Sequence, residues 1–136
     1  MEVHTILGPG LLEGVYEDAL CYELGLREIP FQRQLSFPIR YKGQTLREQR
    51  CDLLVAQLVV VELKSTDGVN ECYLSTMLGY MRALDVPLGL LLNFNESHLR
   101  DGLHRRINSR SSRMPQTPVP ASSDSSSSLS PQRTPA

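Results

Sequence analysis

Three residues near the middle of the chain have types and spacing suited to chemistry: Asp52, Glu62 and Lys64. The segment between them reads as two short strands, at about residues 45–55 and 59–65, joined by Ala56-Gln57-Leu58; the second strand is dense in β-branched residues. So short a connection predicts a hairpin. If Val55 pairs with Val59, then Leu53 faces Val61 and Cys51 faces Leu63, an apolar face on both strands, while Asp52 stands opposite Glu62. Lys64, two residues beyond Glu62, shares its side because strand side chains alternate. Carboxylates placed so would have Cβ atoms about 5 Å apart and repel by about 3 kcal/mol at an effective dielectric near 20. Folding does not require that arrangement, whereas a divalent cation does: magnesium and manganese take oxygen ligands, typically one or two carboxylates with several waters. Lys64 would then orient or deprotonate an attacking water, or stabilise charge developing on a phosphate. The other reading is an ordinary exposed charged edge, and spacing alone leaves both open.

The elements that must position these residues are legible from hydrophobic period. Leu12, Val15, Tyr16, Ala19, Leu20, Tyr22 and Leu26 recur at threes and fours after Gly8-Pro9-Gly10, predicting a helix over about 11–27. From Phe31 the period becomes two, with Phe31, Leu35, Phe37, Ile39 and Tyr41 facing one way and Arg33 as the misfit, which predicts a strand turning at Lys42-Gly43. A second helical pattern runs over about 69–84, and the apolar run 88–94 after Pro87 suits a buried strand. Leu99, Leu103, Arg106 and Ile107 predict a last helix carrying the basic residues Arg100, His104, Arg105, Arg106 and Arg110. The order α-β-β-β-α-β-α gives an α/β fold with a mixed sheet flanked by helices.

Composition bounds the rest. The 136 residues carry 14 basic and 15 acidic side chains, a net charge of −1, which excludes the strongly basic domain that signals nucleic-acid affinity most simply. A nucleic-acid role must rest on a local site. From Ser111 to Ala136 nine of 26 residues are Ser and five are Pro, too little apolar surface to offset ordering entropy. The expected organisation is a folded domain over 1–109 and a disordered Ser/Pro-rich tail over 110–136. Three widely spaced cysteines without a CxxC pair argue against a disulfide framework or zinc knuckle and for buried single thiols. His4, His98 and His104 lack zinc-ligand spacing and read as surface residues. Gly8-Pro9-Gly10 lacks the remaining residues of a phosphate loop and reads as a turn. Neither a membrane span nor a signal segment is visible, so the expected location is cytoplasmic.

Asp52, nine residues, then Glu62-Leu63-Lys64 resembles the split acidic motif of the PD-(D/E)XK nuclease superfamily, and the α-β-β-β-α-β order is similar to its restriction-endonuclease-like core. Gly10-Leu11-Leu12-Glu13-Gly14-Val15-Tyr16 resembles the GxxExxY signature that names a small bacterial family within it. The stretches Glu2 to Gly10, Tyr16 to Leu24 and Gly89 to Asn95 resemble the same family, for a total span of about 2–108. The resemblance implies that Asp52 and Glu62 bind Mg2+ or Mn2+, that Lys64 assists the attacking water, and that Glu13 is a further metal ligand or holds a water. A solvent-facing carboxylate near a helix N-terminus is the other reading of Glu13, and core packing that of Tyr16. Family members usually have a helix before the stretch matching Glu2 to Leu7, and many carry a glutamine where Thr76 stands, four residues before Tyr80. The function implied is a metal-dependent phosphodiesterase acting on DNA or RNA; the alternative is a catalytically inactive module that binds nucleic acid or protein on the same fold.

Overall fold

The computed structural model describes residues 1–113. Nine elements follow in order: α1 (Glu2–Leu7), α2 (Glu13–Leu26), β1 (Phe31–Tyr41), β2 (Gln44–Val55), β3 (Val59–Lys64), α3 (Glu71–Leu84), β4 (Leu88–Asn93), a 3-10 turn (Leu99–Gly102) and β5 (Leu103–Ile107). The strands form one mixed sheet in the order β1-β2-β3-β4-β5, with only β3 and β4 parallel. β3, α3 and β4 make the simplest βαβ unit, a parallel strand pair joined by a helix. Among the described residues no helix is long and apolar enough to cross a membrane.

The sheet divides two buried layers. On one side Leu53, Val61, Leu63 and Leu92 pack with Val3, Tyr16, Cys21 and Phe94 beneath α1 and α2. On the other, Cys51, Leu54, Val60 and Leu91 pack with Leu74, Met77 and Met81 of α3. β3, buried on both faces, alternates between them, as its continuous run of valines requires. α3 sits close to β4 because position 89 has no side chain: a Cβ there would lie 2.5 Å from Met81 Sδ and 3.2 Å from Met77 Cε. Asn70 caps α3, accepting from the Cys72 N–H at 2.7 Å.

Three expectations are corrected. The predicted last helix is a 3-10 turn followed by β5, antiparallel to β4. Without β5 the backbone of β4 would be left unpaired along that edge, and pairing decides against a helical spacing that rests on four residues. β1 does not keep one face: Phe31 joins the α1/α2 layer, whereas Leu35, Phe37 and Ile39 join the α3 layer. The switch is at Gln34, whose φ of 49° breaks the alternation. The thiols and histidines also divide otherwise than expected: Cys21 and Cys51 are buried but Cys72 is exposed, and His4 is buried with Nε2 2.8 Å from the Glu96 carbonyl.

Past the expected boundary at 109 the chain is tied to the domain as far as it is described. Ser111 is buried; its N–H donates to the Asn108 carbonyl at 3.1 Å and its hydroxyl to the Asp85 carbonyl at 3.2 Å. Arg113 reaches the Gln57 carbonyl at 2.9 Å. The rest of the expected tail, 114–136, lies outside the described residues. Ending the chain after Ser109 rather than after Arg113 should therefore lower stability by at least about 1–2 kcal/mol, the net worth of the two Ser111 bonds, to which the exposed bonds of Ser112 to Asp85 and of Arg113 to Gln57 add. Urea melts of the two truncated proteins measure this, and equal midpoints would mean that the contacts of Ser111 to Arg113 add nothing.

Candidate active site

β2 and β3 pair in the expected register, Val55 with Val59 and Leu53 with Val61, and there the backbone ladder ends. Beyond it the two acids take over. The Asp52 N–H donates to Glu62 Oε2 at 2.8 Å, and the Leu63 N–H donates to Asp52 Oδ2 at 2.9 Å. Each carboxylate thus satisfies a backbone donor of the opposite strand that the interrupted ladder leaves free. Cys51 and Leu53, the neighbours of Asp52, are buried in opposite layers, so the expected face shared by Cys51 and Leu63 does not form. Asp52 lies in the seam between the strands.

The irregularity in β1 supports this seam. Gln34, opposite Asp52 and in the left-handed region, donates its amide to Asp52 Oδ1 at 3.3 Å and to Glu17 Oε1 at 2.8 Å. Arg33 beside it binds Glu17 Oε2 at 2.6 Å and also Asp18. These bonds join β1, β2 and α2 around the acids. Gln34 has no hydrophobic or motif signal, and only its place in a broken alternation marks it in the sequence.

Glu62 is the most perturbed carboxylate. Burial, then the charge of Asp52, push its pKa up to about 7; the bond from the Asp52 N–H and the charge of Lys64 oppose the rise, and Glu13 adds a smaller push upward. Lys64 stands on the α3 side with Nζ 4.2 Å from the centre of the Tyr73 ring, a cation–π contact that confines a flexible side chain. Tyr80, on the same helix, has its pKa raised by burial and by the charges of Glu62, Cys51 and Asp52. Thr76 is exposed on α3 and makes no hydrogen bond to either acid among the described residues.

Glu13 is the exposed first residue of α2. Two contacts set its position. Tyr16, completely buried and stacked on Phe94 at 4.4 Å, donates its hydroxyl to the Gly8 carbonyl at 2.5 Å and accepts from the Leu11 N–H at 3.0 Å. Ser65, just after Lys64, donates to the Leu11 carbonyl at 2.6 Å, fastening the approach to α2 to the end of β3. Tyr16 is therefore a core residue whose hydroxyl shapes the turn before Glu13. On the opposite flank the buried Asn93 accepts from the Thr66 N–H at 3.1 Å and donates to its carbonyl at 3.0 Å, fixing the loop that follows Lys64.

The structure thus brings Asp52, Glu62 and Lys64 together, with Glu13 near enough for Glu62 to feel its charge. Among the described residues no group of three or more His, Cys, Asp or Glu side chains is gathered closely enough to hold an ion. The paired acids do offer hard oxygen donors, with Glu62 Oε1 lacking a protein donor among the described residues. Such a pair fits magnesium or manganese, which complete their coordination with water.

A sequence profile of the PD-(D/E)XK nuclease superfamily matches residues 1–107. The chain belongs to that superfamily. Its α/β sandwich around a mixed sheet is consistent with the restriction-endonuclease-like fold, and the matched span includes Asp52, Glu62 and Lys64. No curated protein and no solved structure gives a significant match.

A carboxyl with a folded pKa near 7 and an unfolded value near 4.5 holds its proton more tightly in the folded state. Its destabilising effect is absent below the unfolded value and complete once pH has risen through the folded one. In chelator the wild type should lose stability between pH 5 and pH 8 by at most roughly 3 kcal/mol more than Glu62→Gln does. Thermal melts of both proteins across that range test it, and parallel profiles would refute the buried, charge-coupled Glu62. Separately, Tyr16→Phe removes one hydroxyl that serves two backbone groups and should cost about 1–3 kcal/mol with no cavity formed. Chemical denaturation reads this directly.

Proposed function

We propose that the protein is a divalent-metal-dependent phosphodiesterase acting on nucleic acid, and that within its superfamily it is a GxxExxY protein, on the strength of Gly10, Glu13 and Tyr16. The observation that carries the reading is the seam itself. Two carboxylates meet where a strand pair opens, one of them pushed up to about pKa 7, with a lysine two residues along the same strand. A purely structural ion pair would place a cation between the acids; here their partners are backbone amides and the Gln34 side-chain amide, and the lysine lies against Tyr73.

Asp52 and Glu62 would hold Mg2+ or Mn2+, and Glu13 would approach from α2 as a further ligand or through a water. When bound, the ion would supply Lewis-acid polarisation of the phosphate and a lower pKa for the attacking water. The protein's own groups do the rest. Asp52 and Glu62 stay fixed because each is bonded to the opposite strand, which avoids reorganisation during the reaction. Lys64 supplies a positive charge for the negative charge developing on the phosphate oxygens and orients the water for in-line attack. Gln34 holds Asp52 from the side away from β3.

Purified protein incubated with DNA and with RNA in magnesium or manganese should cut a phosphodiester, and none should be cut in chelator. Lys64→Ala should reduce turnover by about a hundredfold or more, the scale for removing one transition-state contact, while leaving manganese affinity within a few-fold. Calorimetric titration of manganese reads the affinity. Wild-type protein that neither binds the ion nor cleaves would end this reading.

A further inference from the structure

The β1–β2 hairpin outlasts the sheet. β3 pairs with β2 only at Leu53 to Val55 and is last bonded to it at Asp52, so within the sheet the part of β2 from Gln44 to Cys51 is bonded to β1 alone. α3 covers the near half of this ribbon through Phe37 and Ile39, with Phe37 meeting the Tyr80 ring edge-on at 5.3 Å. Beyond Ile39 nothing covers it, and every residue from Arg40 to Glu48 is exposed. Its turn is tight and two-residue, with Lys42 at φ 51° and Gly43 at φ 79°, the backbone that matches strand twist, and the one break in pairing below it is a register shift between Ile39 and Arg40.

The ribbon's charge is opposite to the rest of the described chain. Arg40, Lys42, Arg47 and Arg50 face one acid, Glu48, a net of +3, whereas the described residues outside it carry nine basic and thirteen acidic side chains, a net of −4. None of these four cations is in an ion pair among the described residues; Arg27 and Arg33 make all of the ion pairs there. Topology gives the ribbon its location. β2 runs antiparallel to β3, so the tip projects past the end of β3 that bears Glu62 and Lys64. The 3-10 turn with Arg100 lies at the same end of the sheet, beyond β4.

We propose that this hairpin is the arm by which the protein grips double-stranded DNA, laid in the major groove so that a neighbouring phosphate reaches the Asp52–Glu62 seam. The inference rests on the phosphodiesterase reading for what happens at the seam, but not for binding. The uncovered arm has two residues on β1 and five on β2 beside its two-residue turn, roughly 10 Å deep at about 3.3 Å per residue, and the major groove of B-form DNA, about 12 Å wide, admits a two-stranded ribbon. The deep, narrow major groove of A-form RNA does not, so the same arm selects against duplex RNA.

Binding is measured by fluorescence anisotropy in chelator, on a labelled DNA duplex about two helical turns long, over a series of salt concentrations. Arg40→Gln combined with Arg47→Gln should reduce the salt dependence by about two phosphate contacts and weaken binding about tenfold or more. Arg82→Gln combined with Arg110→Gln removes as much charge from the opposite end of the sheet and should change neither. Both double variants should melt as wild type does, since these side chains are exposed and make no hydrogen bond among the described residues. Equal losses in the two variants, equal binding of duplex RNA or single-stranded DNA, or no binding of duplex DNA at all would overturn the arm. Cleavage is scored separately. Duplex bound through the arm but never cut would end the phosphodiesterase reading and leave the arm standing, and cutting that is indifferent to Arg40 and Arg47 would do the reverse.

Discussion

The rest of the structure depends on the reciprocal bonding of Asp52 and Glu62 to the backbone of the opposite strand. A hairpin that stops pairing inside a protein leaves amide donors exposed to an environment with little water, and each costs on the order of 1–3 kcal/mol if unsatisfied. Here the two acids accept those donors, so strands β2 and β3 open without that loss. This gives the acids a structural role and a chemical one at once. An apolar pair would close the repulsion between them but orphan the amides of Asp52 and Leu63; a regular ladder would satisfy the amides but leave no opening.

That opening has consequences on both layers. Because Cys51 and Leu53 turn to opposite sides, β2 feeds the α3 layer through one and the α1/α2 layer through the other. β1 makes the matching change at Gln34, and the pairing sum of the two strands is the same before and after it, Arg33 with Leu53 and Leu35 with Cys51. No residue is inserted; the face is exchanged in place. The polar side chains left at the exchange, Gln34 and Asp52, bond to each other, and Glu17 of α2 closes the set. A buried thiol at the same point, Cys51, has its pKa pushed up to about 12 by burial and by both acids, so it stays an inert thiol beside the site.

Most of the order of elements was legible because long, strongly periodic segments carry it. α2, α3 and β1 through β4 lie within two or three residues of where the hydrophobic pattern puts them. The register of β2 on β3 was legible too, since a slip of one residue would bury both acids among leucines and valines. The failures share a cause: each depends on a partner distant in sequence. β5 is a strand because β4 has a free edge, and nothing in Leu103 to Ile107 says so alone. α1 is six residues, too short for periodicity to speak, and is held by Val3 in the core and by His4 on the Glu96 carbonyl. The support of the acids by Gln34, and of the turn before Glu13 by Ser65, requires contacts across 18 and 54 residues. Paired acids announce themselves by type and spacing; the amide and hydroxyl that position them do not.

Net charge illustrates the same point at the scale of the whole molecule. A balance of 14 basic and 15 acidic residues argues against a nucleic-acid protein only if the charges are evenly spread. They are not, since the hairpin and the remaining described residues differ in sign. At physiological salt the field of an exposed charge decays over about 8 Å, so a phosphate near the ribbon tip responds to the ribbon and hardly to the acidic face of α2 across the sheet. Glu62 in the seam needs the opposite condition: partial burial, where screening is weaker and the charge of Asp52 raises its pKa. Folding separates the two environments by extending the β1–β2 hairpin beyond the sheet and opening the β2–β3 pair where the sheet begins.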